Sequence, residues 1–498
     1  MVVGELAESA DLLVIGGGPG GYAAAIRAAQ LGREVTLVER DGAAGLGGVC
    51  LHRGCIPSKA LIEVASAAHR GAALETAGLE GELSVSLPRF QAWRAELCAR
   101  LARGVGELLA KGNVRIVHGE ARFNRPDRVA VHTPDDRAIF LEFQHAIVAT
   151  GSRPIELPNL PFDGERVLDS TAALALTETP RSVAVVGAGY IGLELGTALA
   201  KLGARVTIVE ALDRILPSID ASLTAPVLRR LRALGVDVQL NATAERLDGD
   251  CLIVATADGD DTVAAERVIV AVGRTPNTDE LGLTAAGVEV AGSGRDGGVA
   301  AAGVELARSG RDGSPAAAGI TGAGLIPVAA DMRATDRIAA IGDVVAGPAL
   351  AHKATAEAAV AAEALSGLPA AFDPRAIPEV IFTDPEIATV GLTEAQAREA
   401  GMDPRTATFP LAASGRAGTL DARDGLTRVV TDQATDRVVG VHIVGPHASE
   451  LIAGGALAIE LMAAPGDLAA TIHPHPTLSE SLHEAAALAL GHPLHVSG

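Results

Sequence analysis

A glycine loop of the form G-x-G-x-x-G occurs twice in this chain, each time in the same surroundings. The first runs Gly16-Gly17-Gly18-Pro19-Gly20-Gly21, after an apolar run at 11–15 and before an alanine-rich helical stretch at 20–31. A second apolar run, 35–39, then ends in Glu39. The pattern returns at Gly187-Ala188-Gly189-Tyr190-Ile191-Gly192, with an apolar run at 182–186 before it, a helical stretch to 202 after it, and Glu210 closing the run 205–210. One such loop is weak evidence. Two, each set between strand and helix with an acid at the end of the next strand, specify two β-α-β dinucleotide folds.

Each glycine has a physical task. The first permits a tight turn, the second lets backbone approach a pyrophosphate, and the third allows the helix to pack closely. The helix N-terminus then presents unpaired N–H groups to the phosphates. Glu39 and Glu210 stand where a carboxylate accepts hydrogen bonds from ribose hydroxyls. An acid there repels a 2′-phosphate, so the second site should take NAD in preference to NADP.

Cys50 and Cys55, with four residues between them, follow directly on the first of these units. A thiol pair beside a bound dinucleotide implies electrons passing between a cofactor and a disulfide. Four cysteines in 498 residues cannot form a disulfide scaffold, so the close pair reads as catalytic and Cys98 and Cys251 as ordinary half-buried thiols. Cys55 opens a helical stretch through Ala60, Leu61 and Ile62, whose N-terminus favours the reactive thiolate.

A chain of this length implies about three domains. The formal charge of −20 argues against nucleic acid and anionic membrane as partners, and no apolar run reaches the length of a membrane span. The acidic opening (Glu5, Glu8 and Asp11 precede Arg27) leads us to expect a cytoplasmic protein. Only four of the 41 basic residues are lysines, a bias read here as compositional. Residues 286–297 are echoed at 302–313, a local duplication over 286–317 read as a surface excursion. From about 375 the glycine pattern stops, and short strands at 426–431 and 438–444 precede a helix at 448–462, as in a separate α+β domain.

The segments GGVCLHRGCIPSKAL (47–61), AIVATGS (146–152), VVGAGYIGLELG (185–196), AVGRTPNT (271–278), IAAIGDV (338–344) and HPTLSE (475–480) occur in this order. Together they resemble the FAD-dependent pyridine nucleotide–disulfide oxidoreductases, and within them the dihydrolipoyl dehydrogenase branch. The resemblance implies two Rossmann-like α/β domains and a C-terminal α+β dimerisation domain. It divides the chain into 1–153 (FAD, first part), 154–275 (NAD), 276–355 (central, FAD second part) and 375–498 (dimerisation).

It further implies FAD on Gly16, Gly18, Gly21, Glu39, Thr150, Gly151 and Asp343, and NAD on Gly187, Gly189, Gly192, Glu210 and Gly273. Lys59 resembles the lysine near the flavin's reactive nitrogen, and Glu194 its partner. Cys55 becomes the charge-transfer thiol and Cys50 the thiol that meets substrate. His475 and Glu480 match the family's His–Glu dyad, which completes the active site of the other subunit in a homodimer. An imidazole suits the task because it exchanges protons near neutral pH. His473, His483, His492 and His495 lack that match and read as structural or surface residues. No metal is expected. The implied activity is oxidation of dihydrolipoamide by NAD⁺, with lipoyl domains and the acyltransferase core of a 2-oxoacid dehydrogenase complex, or the glycine cleavage system, as partners. His52-Arg53 departs from the residues usual between the two cysteines and should add positive character beside the disulfide.

Overall fold

The computed structural model describes residues 7–74, 77–81, 83–292 and 324–496. The first glycine loop leaves strand Glu8–Ile15, whose inner residues Leu12, Leu13 and Val14 are wholly buried. Such a continuous apolar run is what a parallel strand covered on both faces requires. Its neighbours are Val35–Glu39 on one side and Ala138–Val148 on the other, both parallel to it. The full sheet runs 115–118, 35–39, 8–15, 138–148, 128–132, 120–125. Ile338–Ala340 adds a seventh strand, parallel to 146–148. Helix Pro19–Gln30 lies on this sheet against helix Ala351–Leu365, and its inner face is Ala24, Ala25 and Ala28. Small side chains allow that close approach.

The second glycine loop leaves strand Ser182–Val186 in a separate all-parallel sheet, ordered 237–239, 205–209, 182–186, 267–270, 167–168. An antiparallel three-stranded sheet, 243–248, 251–256 and 259–264, accompanies it. Both chain crossings between the two sheets run through one ribbon, Ser152–Pro154 paired with Arg274–Pro276.

The C-terminal unit is an antiparallel sheet ordered 379–381, 386–391, 437–445, 426–432, 404–410. Helices Ala448–Glu460 and Glu480–Ala489 pack on it. The fold is therefore two doubly wound α/β units followed by an α+β unit, as the sequence led us to expect. The duplicated stretch lies outside the described residues beyond 292. At its flanks, Ala291 N–H donates to Leu325 and Gly324 N–H donates to Ala291. Among the described residues no helix is long and apolar enough to cross a membrane, and no cluster of three metal-ligating side chains occurs.

Candidate active site

The two glycine loops share their backbone features. Gly16 and Gly187 both have φ of +103°, and a Cβ on either would lie within 3 Å of backbone, at Ala149 and Ala271 respectively. A Cβ on Gly21 would fall 1.8 Å from the Gly16 carbonyl oxygen, and one on Gly192 2.1 Å from that of Gly187. The middle glycines differ. Gly18 (φ −69°, ψ −176°) and Gly189 (φ −74°, ψ 179°) have backbone that any residue adopts. A Cβ on Gly18 would meet only Gly48 at 4.0 Å, and one on Gly189 nothing within 4 Å. Each of these two glycines borders free space just before a helix N-terminus, a cradle that a side chain would fill.

The acids behave as a matched pair too. Glu39 Oε2 accepts the Gly17 N–H at 2.6 Å, and Glu210 Oε2 accepts the Ala188 N–H at 2.7 Å. Each carboxylate thus braces its own glycine loop from the end of the following strand.

Cys50 sits in the short helix Gly48–Arg53, and Cys55 begins the nineteen-residue helix Cys55–Ala73. The two are joined as a disulfide, with Cα atoms 4.7 Å apart. This bond forms part of the wall of a cavity of about 1420 Å³. Gly16, Gly18, Glu39, Lys59, Thr150, Gly151, Glu194 and Asp343 line the same cavity.

On its floor Lys59 Nζ lies 2.8 Å from Glu194 Oε2 and 4.4 Å from the centre of the Phe382 ring. The Glu194 side chain is 4% exposed, and its other oxygen accepts the Phe382 N–H at 3.0 Å. Asp343 accepts from Ser152 Oγ at 2.6 Å, and Ser152 Oγ in turn accepts from Arg274 Nε at 2.7 Å. The turn carrying Asp343 is clamped by a buried pair. Glu357 accepts the Gly342 N–H at 2.7 Å and lies 2.7 Å from Lys353 Nζ. Tyr190, at the head of the helix after the second loop, also faces the cavity, and burial pushes its hydroxyl up to about 12.

His475 Nδ1 lies 2.8 Å from Glu480 Oε1, and Glu480 Oε2 accepts the Thr477 N–H at 2.8 Å. Burial raises the Glu480 carboxyl, but the bonds from Thr477 and His475 outweigh it and hold the acid below its ordinary value. The dyad is formed, yet neither member lines the cavity of its own chain, and the His475 side chain is 80% exposed. Gly187, Gly189, Gly192, Glu210 and Gly273 also lie off that cavity's wall. Gly273 stands at the interdomain crossing, where its carbonyl accepts the Ile155 N–H.

His52 and Arg53 line the same cavity as the disulfide, and each has a partner of its own. Arg53 pairs with Asp41 at 2.9 Å, and His52 Nε2 bonds the Leu46 carbonyl at 2.9 Å. Both groups are already engaged with this part of the chain.

Residues 10–300 match the family described as pyridine nucleotide-disulphide oxidoreductase, and residues 377–486 match its dimerisation domain. The chain belongs to this oxidoreductase family. Relatives across its full length include dihydrolipoyl dehydrogenase 2 of Haloarcula marismortui, 44% identical over 99% of this chain and 100% of that one. Dihydrolipoyl dehydrogenase of Geobacillus stearothermophilus is 45% identical over 100% of this chain and 99% of that one. Among solved structures, LpdA of Mycobacterium tuberculosis matches with a TM-score of 0.82 at 29% identity, covering 96% of this chain and 99% of that chain.

The cofactors of this oxidoreductase are FAD and NAD, and the residues present fit them. Each open middle glycine sits before a helix N-terminus, the setting a pyrophosphate requires. Sequence reasoning missed Phe382, Ser152, Arg274, Lys353 and Glu357. Ser152 and Arg274 fall inside the segments AIVATGS and AVGRTPNT, which assign them no role, and Phe382, Lys353 and Glu357 carry no local signal.

Proposed function

We propose that this oxidoreductase is a dihydrolipoyl dehydrogenase that oxidises protein-bound dihydrolipoamide to lipoamide with NAD⁺ as final acceptor. The observation that carries the reading is the Cys50–Cys55 disulfide on the wall of a cavity it shares with the first glycine loop and the Lys59–Glu194 pair. We assign the dinucleotide, relay and dyad residues the roles the resemblance implies, and divide the chain at 1–153, 154–275, 276–355 and 375–498.

In this scheme a substrate thiolate attacks Cys50 Sγ, the S–S bond breaks, and Cys55 leaves as a thiolate. The second substrate thiol then displaces Cys50, closing the lipoamide disulfide and leaving Cys50 as a thiol. Of the two protons released, one stays on Cys50 and the other goes to the His475 imidazole, which Glu480 orients through Nδ1. Cys55 is favoured as the leaving thiolate because it stands at the N-terminus of a nineteen-residue helix. FAD, when bound, supplies the two-electron path from the thiol pair to the nicotinamide. The sum is dihydrolipoamide plus NAD⁺ giving lipoamide, NADH and a proton.

His475 is exposed and absent from its own chain's cavity, which supports service in the partner subunit of a homodimer. Lipoyl domains and the acyltransferase core of a 2-oxoacid dehydrogenase complex, or the glycine cleavage system, are the partners this reading names. A cytoplasmic location completes it.

The test is NAD⁺ reduction by dihydrolipoamide with FAD-loaded protein, beside a Cys50→Ser variant and an NADP⁺ control. We expect turnover with NAD⁺, little with NADP⁺, and none in the variant. Bound flavin without lipoamide turnover would move the substrate to another disulfide.

A further inference from the structure

Three of the chain's four lysines form ion pairs with carboxylates: Lys59 with Glu194, Lys201 with Asp384, and Lys353 with Glu357. In a chain that otherwise uses arginine, these positions select a compact ammonium over a planar fork. Two of the three lie on one pair of helices.

Helices Cys55–Ala73 and Tyr190–Lys201 run parallel and in step. Lys59 Nζ reaches Glu194 at 2.8 Å and Lys201 Nζ reaches Ser66 Oγ at 3.0 Å, and each contact spans 135 positions. Seven residues along a helix is two turns, about 10 Å, and returns to nearly the same face. A second polar rung therefore lies directly beneath the Lys59–Glu194 rung.

One segment of the dimerisation domain holds both rungs. The Phe382 N–H donates to Glu194 at 3.0 Å. Two residues on, Asp384 Oδ2 takes Lys201 at 2.8 Å and Arg230 at 2.9 Å. Arg230 comes from a third helix, Ala221–Ala233. The Lys201 side chain is 6% exposed, so its charge depends on Asp384 and Ser66. Burial raises the Asp384 carboxyl, but Lys201 and Arg230 overcome this and keep it ionised. Sliding one helix past the other breaks both rungs together.

We propose that Lys201 and Asp384 are positioning residues that hold the Lys59–Glu194 pair in register beside the flavin. The proposal rests on the disulfide–flavin relay described above and extends it to the dimerisation domain. Asp384 acts through Lys201 and the helix pair and touches no reacting atom.

The test uses FAD-loaded dimer reduced to the two-electron level with dithiothreitol. It reads the long-wavelength charge-transfer absorbance of the Cys55 thiolate and the equilibrium between reduced thiols and reduced flavin. Asp384→Asn should keep its FAD and its dimer but lose roughly half of that absorbance. The thiol–flavin equilibrium should move about tenfold, ~30 mV for a two-electron couple. Asp384→Glu should restore both. An Asp384→Asn enzyme with unchanged absorbance and equilibrium overturns the proposal. If Asp384→Asn does not fold, Lys201→Met decides by the same readouts, because it leaves Asp384 paired with Arg230. Dithiothreitol replaces the lipoyl substrate, so the two readings fail separately. A wild-type enzyme with the absorbance but no lipoamide turnover loses only its substrate assignment, whereas absence of the absorbance in wild type removes relay and rung together.

Discussion

Gly189 offers a clean separation of fold from function. Its backbone angles suit alanine, and a methyl group there meets no atom within 4 Å. Alanine restricts the unfolded chain, a gain of about 0.4–1 kcal/mol, but it is a poorer N-cap than glycine by a similar amount, so the two roughly cancel. The space the methyl would fill lies at the N-terminus of helix Tyr190–Lys201, where the proposed function puts the pyrophosphate of NAD. Pushing the phosphate away forfeits one charge-assisted hydrogen bond, about 1.5–3 kcal/mol. At about 1.4 kcal/mol per factor of ten, KM for NAD⁺ in Gly189→Ala rises roughly 10- to 100-fold. The assay is steady-state turnover with varied NAD⁺, a thermal melt, and anaerobic flavin bleaching by dihydrolipoamide. Bleaching should stay within about twofold of wild type, since it needs no NAD⁺. The Tm should stay close to that of wild type. A KM for NAD⁺ within about twofold of wild type would refute the cradle argument. Gly192→Ala is the contrast, because its Cβ would lie 2.1 Å from the Gly187 carbonyl oxygen and the fold itself must yield.

Glu480→Gln replaces the acceptor at His475 Nδ1 with a group that can present N–H, turning the imidazole proton to the wrong nitrogen. Lipoamide kcat should fall roughly 10²- to 10⁴-fold while KM for NAD⁺ holds, as steady-state kinetics would show. His442, buried in the central strand of the dimerisation sheet, donates Nε2–H to the Leu392 carbonyl at 3.0 Å, and burial depresses it to about 4. Its folded value lies below the ordinary ~6.5, so protons favour the unfolded chain. The stability from its neutral form is complete above that value, and about 3 kcal/mol of it is lost as pH falls towards 4. Denaturant melts of His442→Gln should show a flatter pH slope than wild type, and parallel slopes would contradict it. Arg53→Ala removes a pair whose side chains are 44% and 41% exposed. It should cost under about 1 kcal/mol and leave lipoamide kcat within about threefold, and a larger kinetic loss would establish Arg53 as a thiol-tuning charge.

The parts of the site that are close together along the chain are legible in the sequence itself. Each glycine loop, its strand and its closing acid fall within some 30 residues, and short-range rules suffice for them. Lys59 and Glu194 are 135 positions apart, and only the resemblance links them in the sequence. Phe382 and Asp384 are invisible there because a phenylalanine N–H and a loop aspartate carry no pattern of their own. Their task appears only when the loop after strand 379–381 of the third unit is laid against two helices from the first and second. Arg53 shows the opposite case. Its charge is plain in the sequence, but its direction depends on Asp41, twelve residues back and across a turn.

The ribbon of Ser152–Pro154 against Arg274–Pro276 bears on how such a chain was assembled. To the first sheet, everything between the ribbon's two strands is a loop. Strand Ile338–Ala340 joins Ala138–Val148 across roughly 190 positions, of which roughly 120 belong to this inserted unit. Treated as flexible chain, those extra positions add only about 0.9 kcal/mol to the entropy of closure. Folded, with its two ends already paired, the insert adds less still. A whole domain can therefore be spliced into a β-sheet at almost no thermodynamic penalty, provided it enters and leaves by the same door.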